Sequence, residues 1–167
     1  MRSWFVVLCF ALSLALPAAA SAGKDAAADS AVAPRFTLPL RTGTVSLDSL
    51  QAKIIYVDFW ASWCEPCHRS FPWLAELHKQ YGDKGLVIVA INLDKVRDPA
   101  YAFLEKHPAP FRVAFDPEGK TAEAYHVSTM PSSFLIGPSG KILLAHTGFV
   151  PGKTADVENL IKEACSQ

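Results

Sequence analysis

The sequence predicts an α/β domain with a central mixed β-sheet flanked by helices, and three observations lead there. Lys53 to Trp60 (KIIYVDFW) and Leu86 to Asn92 (LVIVAIN) are β-branched and aromatic without polar alternation, as strands buried on both faces are. Segments of helical character alternate with them, the order expected of parallel strand–helix–strand units. Late in the chain, Ser132 to Ile136 and Lys141 to Thr147 flank the turn Gly137-Pro138-Ser139-Gly140, a hairpin that adds antiparallel strands.

Residues 1–22 stand outside that domain. Met1 and Arg2 give a positive start, Trp4 to Leu16 is apolar, Pro17 breaks the run, and Ala20-Ser21-Ala22 supplies small residues at a cleavage spacing. That is the pattern of a secretory signal peptide; the run is short of the roughly 20 apolar residues of a membrane-spanning helix. An uncleaved anchor is the alternative. Cys9 lies inside the apolar run, the wrong place for lipid attachment. Residues 23–34, rich in Ala, Ser and Asp, read as a flexible leader. Residues 35–167 then form one domain, long enough to bury a core.

Within it, Arg35 to Leu50 reads as short extended pieces around Arg41-Thr42-Gly43, and Lys53 to Trp60 as the first buried strand. A helix follows from about Cys64 to Tyr81, closed by Gly82 and Gly85, with Pro72 predicting a kink near Ser70. After the strand Leu86 to Asn92, Asp98 as N-cap and Pro99 as first residue start a helix that runs to about His107. Phe111 to Phe115 is a short strand and Pro117 to Tyr125 a short helix. The hairpin comes next, and a last helix, capped by Thr154, runs to Ala164.

Composition excludes some functions. Sixteen basic residues balance sixteen acidic ones, and no basic run or stripe offers a nucleic-acid surface. Of four cysteines, Cys64, Cys67 and Cys165 remain beyond the signal segment. A domain stapled by disulfides carries more, spread along the chain. One tight pair in an exported protein reads as redox-active.

The pair lies in Trp60-Ala61-Ser62-Trp63-Cys64-Glu65-Pro66-Cys67. Residues three apart share a helix face, so these cysteines can close a disulfide without large backbone movement. At the helix N-terminus, unpaired amide hydrogens and the dipole favour the Cys64 thiolate. Cys67, one turn in, is expected to be more buried. Cys64 therefore attacks and Cys67 resolves the mixed disulfide. Glu65 opposes the thiolate by its charge, and Pro66 stiffens the first turn where no amide hydrogen is needed.

Cys64 to His68 also fits covalent haem attachment. Against it stand a strand on either side and a single Met beyond the signal segment, Met130, directly before Pro131. A structural zinc site would need a second ligand pair, and none has the spacing. Copper(I) held by the two sulfurs remains open as a rival reading. His68 reads as an exposed helix residue. A peroxidatic site of the peroxiredoxin type is disfavoured, because Phe59 to Cys64 lacks the Pro and Thr placement of such sites.

The run VDFWASWCEPC, the later Thr129-Met130-Pro131-Ser132-Ser133-Phe134-Leu135-Ile136, and Gly148 after the last hairpin strand resemble the thioredoxin superfamily. The WCEPC form, the FTLPL entry strand and the long segment between the central strands resemble more closely its TlpA/ResA branch of exported bacterial thiol–disulfide oxidoreductases. The resemblance covers about residues 35–165. It implies a thioredoxin-like fold with extra N-terminal strands and a central insertion. It also implies a cis Pro131 beside the dithiol, which would present the Met130 backbone to an extended substrate and keep metals off the sulfurs. Asp58 matches a buried carboxylate beneath the dithiol; in an apolar strand its pKa should be raised, making it a proton acceptor for Cys67. Trp63 would shield the sulfurs and shape the substrate surface, while Trp60 belongs to the core.

The branch often carries an acid three positions after its second cysteine; here that position is Ser70, which leaves Asp58 as the acid–base group. Cys165 reads as a bystander thiol. The resemblance implies a periplasmic monomer without cofactor that reduces protein disulfides, with apocytochrome c cysteines as the usual substrate. A membrane thiol reductant of the DsbD or CcdA type would recharge it. A general or oxidising disulfide exchanger is the rival within the enzyme class.

Overall fold

A computed structural model of the chain describes residues 31–166; the expected signal segment and the first part of the leader lie outside that range. Around the Arg41-Thr42-Gly43 turn, β1 (Thr37–Pro39) pairs antiparallel with β2 (Thr44–Ser46), Leu38 opposite Val45. The remaining strands are β3 (Ile54–Trp60), β4 (Leu86–Asn92), β5 (Arg112–Phe115), β6 (Ser132–Ile136) and β7 (Ile142–Thr147). They form one five-stranded sheet of order β5-β4-β3-β6-β7. The first three are parallel, and β6 and β7 join antiparallel, so the sheet is mixed as predicted. Every residue of the central β3 is buried, which explains its lack of polar alternation.

The two-residue period of β3 separates the layers. Ile54, Tyr56 and Trp60 face one core, shared with α1 (Glu65–Tyr81), α2 (Asp98–Lys106) and α4 (Ala155–Ser166). Ile55, Val57 and Phe59 face the other, filled by the β1–β2 hairpin and α3 (Lys120–Ala124). Helices thus lie on both faces. The long segment between β4 and β6 supplies α2, the edge strand β5 and α3.

Helix α1 buries Cys67, Ser70, Phe71, Leu74, Leu77 and Tyr81, the three- and four-residue spacing of one apolar face. Pro72 lies inside the helix without ending it. Pro72 withdraws the donor that would serve the His68 carbonyl, and Ser70 Oγ donates to the neighbouring Cys67 carbonyl at 3.0 Å. The helix tightens into a 3-10 turn at Gly82–Lys84, and Gly85 reverses the chain at φ +111°. A Cβ there would lie 2.7 Å from the Lys53 side chain, so the position takes only glycine.

Two helix starts differ from expectation. Helix α2 starts one residue early: Arg97 is the N-cap, and Asp98 sits inside the first turn, where its carboxylate still faces the positive end of the dipole. Helix α3 is shorter than predicted, because the Asp116 carboxylate accepts the Thr121 and Ala122 amides at 2.9 and 3.1 Å and leaves residues 117–119 as a turn. At α4, Thr154 donates its hydroxyl to Glu158 Oε1 at 2.8 Å, and the same oxygen accepts from Trp73 Nε1 at 2.8 Å, tying α4 to α1.

Of the leader expected over residues 23–34, the last four are docked. Ala33 N–H donates to Gly140, Ile142 N–H donates to Ala31, and Val32 bridges Lys141, so this stretch covers the start of the edge strand β7.

His126 closes α3 at φ +54°. Val127 N–H reaches the Ala122 carbonyl and His126 N–H the Glu123 carbonyl, the paired bonds of a left-handed helix cap that glycine usually makes. A residue with a Cβ carries about 1 kcal/mol of strain there. His126→Gly should therefore raise stability by roughly 0.5–1 kcal/mol in denaturant titration, less the entropy that glycine adds to the unfolded chain. An unchanged or lower midpoint would disprove the strain.

Candidate functional site

The C-terminal ends of β3, β4 and β5 and the start of β6 share one edge of the sheet, and the dithiol segment sits there. Leaving β3, the chain turns at Ala61–Trp63, with Cys64 N–H donating to the Ala61 carbonyl at 3.1 Å. Cys64 is extended (φ −86°, ψ 102°) and is the N-cap of α1; Glu65 and Pro66 follow in its first turn. Its carbonyl accepts Cys67 N–H at 3.0 Å, and its Sγ accepts the same amide at 3.3 Å. The sulfur therefore caps the helix, where amide donors and the dipole favour negative charge. A disulfide joins Cys64 to Cys67, with Cα atoms 5.2 Å apart. Cys64 keeps 5% of its surface exposed and Cys67 none, the asymmetry expected from their places in the turn.

Asp58 is 1% exposed on β3, and its even parity turns it to the face of Tyr56, Trp60 and Cys67. Its register neighbours are Ala90 on β4 and Ser133 on β6, neither charged. Carboxylate Oδ2 has no hydrogen-bond partner among the described residues, and burial pushes the Asp58 carboxyl well above the usual carboxylate range. Two neighbours escaped the sequence reading. Burial first, and then the Asp58 charge, hold the Tyr56 hydroxyl well above its ordinary value, while the Ser133 hydroxyl counters them. Parity with Asp58 along β3 was the signal for Tyr56; Ser133 needed the β3–β6 register.

That register runs Asp58 opposite Ser133 and Phe59 opposite Ser132, so the next step brings Pro131 alongside the end of β3. The Met130–Pro131 bond is cis, and the Pro131 carbonyl accepts Gly148 N–H at 2.7 Å. Met130 is half-buried against the helical core. Trp63, beside Cys64, is 70% exposed, and Val96 and Val150 are also exposed on loops at this end of the sheet. Trp60 is fully buried between Phe71 and Phe103, in the core as expected.

The turn itself is held by polar groups that the sequence did not disclose. Ser62 N–H reaches both Asp94 oxygens at 3.3 and 3.1 Å, and Ser62 Oγ reaches Oδ1 at 3.2 Å. Asn92 Nδ2 donates to Asp94 Oδ2 at 2.9 Å, fixing that carboxylate. His68, expected as an exposed helix residue, is only partly exposed, and its Nε2 lies 2.7 Å from the Ser62 carbonyl. A carbonyl only accepts, so Nε2 carries the proton. A nitrogen engaged in this way is not free to ligate a haem iron. Glu65 lies 3.6 Å from His68 Nδ1 and 3.5 Å from Arg69. Ser70, at the position of the branch's acid, is buried against the Cys67 carbonyl. Cys165 is a free, buried thiol on the inner face of α4, raised by that burial. No three His, Cys, Asp or Glu side chains among the described residues are grouped to hold a metal ion.

Such a site can exchange disulfides: one sulfur with residual exposure, a second fully buried behind it, and a buried carboxyl on the same face of β3. Comparison with known proteins agrees with this chemistry. Residues 30–145 match the model of the AhpC/TSA family. The chain is 34% identical over 159 residues to the thiol-disulfide oxidoreductase ResA of Bacillus subtilis, covering 94% of this chain and 89% of that protein. Among solved structures, a protein from Chlorobium tepidum described as a thiol:disulfide interchange protein DsbE superimposes with a TM-score of 0.79 at 46% identity, over 82% of this chain and 97% of that one. A thiol-disulfide oxidoreductase from Bacteroides fragilis gives a TM-score of 0.68 at 28% identity, over 78% and 99%.

Proposed function

Because the chain belongs to the AhpC/TSA family and to its ResA-type thiol–disulfide oxidoreductases, we propose that it reduces protein disulfides in the periplasm, with apocytochrome c thiols as its product. The observation that carries this reading is the Cys64–Cys67 disulfide capping α1 on the same face as the buried Asp58 carboxyl. In the reduced enzyme, the Cys64 thiolate attacks one sulfur of a substrate disulfide, and the other substrate sulfur leaves as a thiolate. Cys67 gives its proton to Asp58 and attacks Cys64, so the second substrate sulfur leaves with both substrate electrons restored. The enzyme keeps the disulfide seen here. A membrane thiol donor of the DsbD or CcdA type then returns two electrons.

Asp58 suits the proton step because a carboxylate raised by burial is a stronger base, nearer in pKa to the thiol it serves. Glu65 supports the reducing direction. Its negative charge beside Cys64 makes the thiolate less stable, and a less stable dithiol is a better reductant. Trp63 adjoins Cys64 in the turn, and the β3–β6 register sets Pro131 alongside the end of β3, where an extended substrate segment would lie. Export rests on the signal-peptide pattern of residues 1–22. No helix among the described residues is long and apolar enough to cross a membrane.

The test is a trap. Cys67→Ala, expressed in the native host, should accumulate mixed disulfides through Cys64, and their partners should be apocytochromes c. A broad set of partners would replace this with general reduction. Capture of nothing, together with tight copper(I) binding by the reduced wild type, would favour the copper-handling reading instead.

A further inference from the structure

His68 has no part in the exchange steps themselves, yet its ring touches the turn that carries the attacking sulfur. Its Nε2 donates to the Ser62 carbonyl at 2.7 Å. The ring plane is held by Phe103, with centroids 4.8 Å apart, and Phe103 in turn stacks on His107 at 4.5 Å. On the other side of the same residue, Asp94 takes the Ser62 amide and hydroxyl. The Ser62 backbone is thus gripped from two directions, by β4's exit loop and by the first turn of α1.

We propose that His68 is a positioning residue for disulfide exchange: its bond to the Ser62 carbonyl latches the turn that holds Cys64 over the Cys67 amide when the disulfide is open. This rests on the exchange reading above. In the oxidised protein the S–S bond itself ties Cys64 to α1, so the latch adds little. Once two electrons and two protons have opened the bond to two thiols, that tether is gone. What then keeps Cys64 Sγ near the Cys67 N–H, 3.3 Å away, is the geometry of residues 61–63. Thiolate stabilisation at a helix N-terminus falls off within the first turn, so a small drift of the sulfur forfeits it. The latch therefore favours the reduced form more than the oxidised one. Its loss should move the equilibrium toward the disulfide.

The experiment measures the equilibrium of Cys64–Cys67 with glutathione, by alkylation and gel shift, in wild type, His68→Phe and His68→Gln. Phenylalanine keeps a ring against Phe103 but has no donor. Glutamine keeps an amide N–H near the Nε2 position without the imidazole. His68→Phe should favour the disulfide about tenfold more than wild type, about 30 mV more reducing. His68→Gln should stay within about twofold of wild type. A latch that served only the fold would lower the melting temperature of both redox forms and leave this equilibrium where it was; that result would overturn the inference. So would an equal shift in both variants, which would assign the effect to the imidazole rather than to the donor. Should the phenylalanine not fold, His68→Ala must show the same direction of shift or the inference fails. A wild-type chain that does not exchange with glutathione at all would overturn the exchange reading itself, an outcome distinct from either.

Discussion

Cys64→Ser should reduce insulin-disulfide turnover by at least about a thousandfold, to the uncatalysed background, whereas Cys67→Ser should keep one round of attack. The two sulfurs are three residues apart and bonded to one another, but only Cys64 has exposed surface. A buried Cys67 has no path to a substrate disulfide, so removing Cys64 removes the nucleophile altogether, and a serine hydroxyl does not replace a thiolate at neutral pH. Removing Cys67 leaves the nucleophile at its helix cap and removes the group that releases the product. The expected record is a stoichiometric burst of one thiol per enzyme, followed by a persistent mixed disulfide on non-reducing gels. A burst from Cys64→Ser, or equal loss without trapped species in both variants, would reverse or abolish the assignment.

Asp58→Asn should change both stability and rate, and the stability change has a defined sign. In the unfolded chain this carboxyl titrates near its ordinary 3.8, and in the folded protein burial raises it well above that. Between those two values the folded state binds one proton more than the unfolded state. Stability therefore falls as pH rises above about 4, by about 1.4 kcal/mol per pH unit, and levels off only once the folded value is passed. Asparagine does not titrate, so the variant lacks this slope. In urea titrations of the oxidised protein, the wild type should lose stability relative to Asp58→Asn as pH rises from 5 to 7, the direction set by a raised folded value. The difference between pH values matters rather than either absolute value, because a buried amide brings its own unpaired donors. Parallel pH dependences would show that the carboxyl is not raised. In the reduced enzyme the same substitution removes the acceptor for the Cys67 proton. Release of the mixed disulfide should then slow by about a hundredfold, with the initial attack by Cys64 little changed.

Much of the framework was legible in the chain. β3 and β4 announce themselves as unbroken apolar runs because a strand buried on both faces has no polar face to show. Helix α1 is legible from its apolar spacing and from Pro66, and the hairpin from its Gly-Pro-Ser-Gly turn. Element ends were less legible. Whether Arg97 or Asp98 caps α2 depends on the turn leaving β4, and the length of α3 depends on a carboxylate four residues before it. Propensity at one residue does not decide such ends; the nearest competing hydrogen bond does.

At the site, the cysteines were named from their spacing, and Asp58, Met130, Pro131 and Trp63 with the help of the family resemblance. The structure brings their segments to one end of the sheet. Missed were Tyr56 and Ser133 beside Asp58, and Asp94 and His68 on the Ser62 peptide. Ser62 and Asp94 are 32 residues apart, and no spacing rule links them. His68 was close in sequence but was misread, because an isolated polar residue beside a helix start reads as surface until its partner is known.

The sequence alone determined that two cysteines would share a helix face behind a buried strand, since a three-residue spacing and an apolar run are local facts. Their inequality was also local in origin, one sulfur at the cap and the other a turn inside. Which groups surround them was decided only by tertiary structure. The strand register sets Asp58 opposite a serine and an alanine rather than a cation, and burial there leaves its carboxyl raised. The return of β4 beneath the Cys64 turn sets Asp94 on Ser62. Desolvation and hydrogen bonding act between segments that meet only when the sheet closes, so the chemistry of the pair was written locally and its tuning was not.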